Sequence, residues 1–187
     1  MSLVPLFVAD WPLVLLPVQI AFLELIIDPA CSVVFEAEQI DPAIMDQPPR
    51  ALGEPMFGRR VLLVAVVQGL SVLAAVVAVY VWAVAGDRPD DTVRSITFAT
   101  LVLSNLGLIL VNRSWRLPVW QTVVERRNPT LRWILTITVV LLALMLSVPG
   151  LRRAFDFGAI SLTDAVVVPV AAGLGVVWFE LYKMRAR

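Results

Sequence analysis

Histidine is absent from these 187 residues, and cysteine occurs once, as Cys31. The first absence removes a histidine general base and histidine metal ligation. The second removes an internal disulfide and any multi-thiolate metal site. Charge is also scarce, at 16% of residues, and the fifteen basic and fifteen acidic side chains cancel. No overall basic character remains to favour nucleic acid, and no nucleic-acid partner is expected. Apolar residues are abundant instead: 59% of the chain is hydrophobic and the mean hydropathy is +0.86. Soluble domains hold roughly 45–50% apolar and about 25% charged residues, so this chain has too little polar surface to cover a core in water. The lipid bilayer is the expected solvent. The expected fold class is an all-α, polytopic membrane helix bundle, a single transmembrane domain over residues 1–187.

A helix needs about 20 mainly apolar residues to cross a hydrocarbon core roughly 30 Å thick. Five stretches qualify, at about 11–35, 61–85, 96–111, 131–148 and 165–182. The polar loop 36–60, the basic loop 112–129 and the C-terminal tail then share one side. That side holds Arg50, Arg59, Arg60, Arg113, Arg116, Arg126, Arg127, Arg132, Lys183, Arg185 and Arg187, against Arg88, Arg94, Arg152 and Arg153 opposite. An excess of Lys and Arg marks the cytoplasmic side, so a multi-pass protein of the cell membrane is expected, N-terminus outside and C-terminus cytoplasmic. Trp11, Trp82, Trp133 and Trp178 fall near span ends, where amphipathic rings suit the headgroup region. The first ten residues hold Asp10 and no Lys or Arg, which does not suit a cleaved secretory signal. Five spans with an outside N-terminus suit a piece of a longer chain. No internal repeat is visible, which weighs against an inverted-repeat transporter.

The first span carries the chemistry. An ionised side chain near mid-membrane costs a few kcal/mol on insertion scales, so such residues usually face the bundle interior and serve a function. Glu24 and Asp28 are spaced i, i+4, which stacks both carboxylates on one helix face. Two like charges there repel unless a proton or cation lies between them. Pro29 has no N–H to donate to the Leu25 carbonyl and disfavours helical geometry at Asp28, so the first helix is expected to break at Asp28-Pro29. A freed carbonyl at membrane depth is tolerated where it lines a cavity. The Leu25 backbone carbonyl therefore joins Glu24 and Asp28 as a candidate ligand for a hard cation, and Asn105 in the third span is a further oxygen donor. The competing reading has Glu24 protonated as interhelical glue, Asp28 capping the following segment, and Asn105 bonded to a neighbouring helix. Cys31, Gln68, Thr136 and Thr138 read as packing residues, and Glu180 as a partner of Lys183 or Arg185.

The string from Leu15 to Phe57 resembles the sixth transmembrane helix and following cytoplasmic loop of cation-transporting P-type ATPases. The matching pieces are Pro17-Val18-Gln19, Glu24 with Asp28, and Ile44-Met45-Asp46-Gln47-Pro48-Pro49-Arg50. The other four spans match the family's helices seven to ten in number, spacing and orientation. The resemblance implies that Asp28 occupies the place of the central aspartate ligand. It puts Glu24 where calcium pumps have Asn and sodium-potassium pumps have Asp. Ile27 stands where calcium pumps often carry a Thr ligand, and Val102 where they carry a Glu on the eighth helix, which weakens a calcium-pump assignment.

No Asp-Lys-Thr-Gly-Thr phosphorylation motif occurs in the chain. By the resemblance, ATP and Mg²⁺ would bind domains outside this chain, and the transported cation would be shared with the fourth and fifth helices of the same pump. The chain is then the C-terminal membrane part of a translocase, partnered by the bilayer, by those helices and by a phosphorylation domain contacting loop 36–60. The alternative from another class is a free-standing accessory membrane protein, related to such pumps, that binds a partner subunit.

Overall fold

The computed structural model describes residues 13–38, 58–113, 119 and 128–185, and the regular structure among them is helical. Six helices follow in order: α1 (Pro17–Glu36), α2 (Arg59–Ala85), α3 (Asp90–Asn112), α4 (Pro129–Ser147), the short α5 (Pro149–Ala154) and α6 (Leu162–Arg185). All but α5 are long and apolar enough to cross a membrane. Trp11 and the loop motif from Ile44 to Arg50 lie outside the described residues.

Local chemistry sets the helix ends. Pro17, Pro129 and Pro149 occupy first turns, where a missing N–H costs nothing. Asn128 caps α4 by accepting the Leu131 amide at 3.1 Å. Ser161 and Asp164 form a reciprocal box at the start of α6: Asp164 accepts the Ser161 amide at 2.9 Å, and Ser161 Oγ accepts the Asp164 amide at 3.3 Å. The third span starts at Asp90, ahead of the hydropathic edge at Ile96, because Asp90 and Asp91 suit a helix N-terminus although they are not apolar. The expected break at Asp28-Pro29 takes the form of a bend: helix continues through both residues to Glu36. One lost N–H and a ring clash kink a helix without ending it when the turns on both sides are intact.

Helix α3 is the centre of the bundle. Its apolar window is 61% buried, against 22% for α2 and for α4. The closest packing is among α2, α3 and α6, with small residues at the seams. A methyl group at Gly107 of α3 would stand 3.2 Å from Val176 of α6, and one at Gly175 of α6 would stand 3.2 Å from the Ala75 methyl of α2. Ser71 of α2 donates to the Gly175 carbonyl at 2.8 Å and accepts the Trp178 indole N–H at 2.8 Å. Trp178 thus points between helices, whereas its position near a span end had suggested the headgroup region.

The other two spans lean on this core from one side. Val34 of α1, Leu106 and Ile109 of α3 and Leu131 of α4 form one buried cluster, with Cys31 packed against it. Nearer the start of α1, Phe22 lies 6.4 Å from Phe98 and 5.2 Å from Phe155, ring centre to ring centre. Leu63 and Leu70 of α2, Trp133 of α4 and Leu174 of α6 are exposed, as side chains facing lipid are.

Candidate cation site

Both carboxylates project from the outward face of α1. Glu24, Leu25 and Asp28 are all exposed, one turn apart, while Gln19, Ala30 and Val34 on the opposite face are buried. The i, i+4 spacing therefore delivers one polar stripe beside the bend. At the bend Pro29 has no N–H for the Leu25 carbonyl, which leaves that oxygen without its usual helical donor. Two carboxylates and a carbonyl on one turn are hard oxygen donors of the kind that hold Na⁺, K⁺, Mg²⁺ or Ca²⁺. Among the described residues no group of three or more acidic or thiol side chains converges. The stripe offers its oxygens on one face of α1 only.

The remaining candidate, Asn105, is half-buried on α3 and its Nδ2 donates to the Leu101 carbonyl of its own helix at 3.0 Å. Ile27 and Val102 line one small cleft between α1, α3 and α4, together with Phe22, Leu23, Phe98 and Leu142. The one side-chain oxygen lining it belongs to Thr138. The two positions at which the family resemblance pointed to missing ligands thus line the same apolar cleft.

Polar contacts hold α1 at both ends. Near its start, the fully buried Gln19 uses both halves of its amide: Oε1 accepts the Leu16 amide at 2.9 Å, and Nε2 donates to the Phe155 carbonyl at 2.8 Å. Just past its end, Glu38 receives Arg113 in a two-pronged pair, Nε to Oε2 at 2.9 Å and Nη2 to Oε1 at 3.0 Å. Asn128 Nδ2 adds bonds to Glu38 Oε2 at 3.3 Å and to the Val34 carbonyl at 3.4 Å. Beside this cluster, the buried Lys183 Nζ donates to the Val111 carbonyl at 2.5 Å and pairs with Glu180 at 2.8 Å. Of the two partners expected for Glu180, Lys183 is the one it takes.

Sequence reasoning did not find the roles of Arg113 and Asn128, nor the bond from Lys183 to the Val111 carbonyl. Asn128 carried a readable signal, since Asn before Pro is a helix-start pattern. Arg113 and the bond from Lys183 to Val111 carried none beyond a place at span ends, because those partners lie 75 and 72 residues away. Gln19 was noticed only as part of a motif.

A family model described as "Cation transporting ATPase, C-terminus" matches residues 12–185. No curated protein matches the chain. The match takes in all five spans, the carboxylate stripe and both polar anchors of α1. This chain belongs to the cation-transporting ATPase family, as its C-terminal membrane region.

Proposed function

We propose that the chain is the C-terminal membrane part of an ATP-driven cation pump and contributes Glu24, Asp28 and the Leu25 carbonyl to the intramembrane cation site. One observation carries this reading: two acidic side chains stand on the outward face of a bent span, where lipid is an unsuitable neighbour. That face calls for a polar partner. Further helices of the same pump, bringing their own oxygen ligands around a shared cation, would supply it. Orientation follows the basic residues, with loops 36–60 and 112–129 and the C-terminus cytoplasmic. ATP and Mg²⁺ belong to the pump's cytoplasmic domains. The cleft that Ile27 and Val102 line offers a cation no carboxylate, which favours a site centred on Glu24 and Asp28. Asn105, engaged with its own helix, is at most a secondary ligand.

The test is ATP hydrolysis by the full-length gene product, titrated in turn with Ca²⁺, Mn²⁺, Na⁺ and K⁺ and with proton concentration. One cation should stimulate turnover, and both Glu24→Gln and Asp28→Asn should weaken its half-saturation by at least about tenfold. Stimulation that survives unchanged in both variants rules out these ligands.

A further inference from the structure

The geometry points to Arg113 as a positioning residue for the cation site. It acts through Glu38, which fixes the far end of the helix that bears Glu24 and Asp28. This inference rests on the cation-site reading above and extends it to residues that touch no cation.

The argument begins with what a bent helix can do. With the bond from residue 29 to the Leu25 carbonyl absent, α1 is softest beside Asp28. The direction in which the carboxylates point then depends on how the segments before and after the bend are held. The earlier segment is fixed by Gln19 to the Phe155 carbonyl. The later one is fixed at Glu38, whose two oxygens are both engaged by the Arg113 fork. A two-pronged guanidinium–carboxylate pair sets direction as well as distance, because both groups are planar. The Arg113 side chain is 1% exposed and that of Glu38 12%, so water competes little for the pair.

The mounting of Arg113 is itself firm. It follows the last turn of α3, the most buried helix, whose Val111 carbonyl is held by Lys183 of α6. Asn128 closes the arrangement from a third direction. The same side chain caps the start of α4, donates to the Val34 carbonyl in the last turn of α1, and touches Glu38. A turn of α1 about its axis would break the bonds to Glu38 and Val34 together. Partners bonded directly to a metal ligand commonly change metal affinity by tenfold or more when removed; Arg113 acts one step further out, on the helix that carries the ligands.

The experiment uses the full-length gene product and the same five cation titrations. Arg113→Gln should raise the half-saturating concentration of the stimulating cation about tenfold, with maximal turnover per folded molecule within about twofold of the parent. Arg113→Lys, which keeps the charge but loses the fork, should fall between. Glu38→Gln keeps the shape of the carboxylate; it should reproduce the Arg113→Gln shift, and it is read in its place if Arg113→Gln does not accumulate. Arg88→Met is the control for instability alone. It breaks an ion pair between α6 and the turn before α3, and should lower stability without moving the cation dependence. If Arg113→Gln and Glu38→Gln alter only stability, as Arg88→Met does, the positioning role is overturned. Asp28→Asn, run in parallel, separates the two failures. If it too leaves the cation dependence unchanged, or if none of the five probes supports ATP hydrolysis, the cation-site reading falls and this inference with it.

Discussion

Replacing Arg88 with methionine strands a carboxylate. Asp164 is 2% exposed, and its ion-pair partner Arg88 is 22% exposed. The guanidinium also lies over the Trp82 ring, 3.9 Å from its centre. After Arg88→Met, Asp164 would keep the Ser161 amide at 2.9 Å and its place in the first turn of α6, where the helix dipole favours a negative charge. Removing one partner of a buried pair costs about 3–5 kcal/mol. The remaining amide bond, the dipole and the water that reaches Arg88 all argue for the low end, about 3 kcal/mol, or roughly two factors of ten in the folded-to-unfolded ratio. Denaturant unfolding in mild detergent measures this, and maleimide labelling of Cys31, the chain's single thiol, gives a second readout. Adding Asp164→Asn should recover more than half of the loss, because the stranded charge is then gone. A loss below about 1 kcal/mol, or a double variant no better than Arg88→Met alone, would show that the pair is solvated and the reasoning wrong.

Gly158→Ala should be among the most damaging small changes, since the new methyl would collide with Thr92 Oγ1 and sit 2.5 Å from the Thr92 amide; backbone cannot move aside cheaply, so about 3 kcal/mol or more is expected, visible as loss of the monodisperse peak in size-exclusion chromatography. Gln19→Leu leaves the Leu16 amide and the Phe155 carbonyl without their partner and should cost about 2 kcal/mol in the same denaturant assay. Two glycines should respond in opposite directions in a thermal-shift series: Gly107→Leu overfills the seam against Val176 and loses about 1–3 kcal/mol, whereas Gly173→Ala meets nothing within 4 Å and gains about 0.5–1 kcal/mol.

Much of this architecture was legible because a bilayer constrains sequence so strongly. Any run of about 20 apolar residues must be accounted for, which is why five spans could be counted without knowing a single contact. The carboxylate pair was legible for the same reason in reverse: acids are costly at membrane depth, and Glu24 and Asp28 stand out against an apolar run. The central place of α3 was only half legible. Ser95, Thr97, Thr100, Ser104 and Asn105 give this span more short polar side chains than a lipid-facing helix tolerates, yet the sequence reading turned on Asn105 alone. Thr97 and Thr100 turn out fully buried, each hydroxyl donating to the carbonyl four residues earlier. The ties that hold α1 were not legible, because hydropathy reports the depth of a residue and not which helix stands beside it. Glu38 and Arg113 read as two loop charges until the helices that carry them are placed.

The seam between α3 and α6 has a consequence for how the protein is made. Thr97, Thr100, Ser104 and Gly107 recur at helical spacing along α3, and Gly107 shows that this face abuts α6. Of the five spans, α6 leaves the ribosome last. Until it arrives, the face of α3 that it will cover has only lipid or the insertion machinery for company, and the Val111 carbonyl waits for Lys183. A chain stopped before Leu162 would therefore leave this face of α3 without the surface that covers it and the Val111 carbonyl without the Lys183 ammonium.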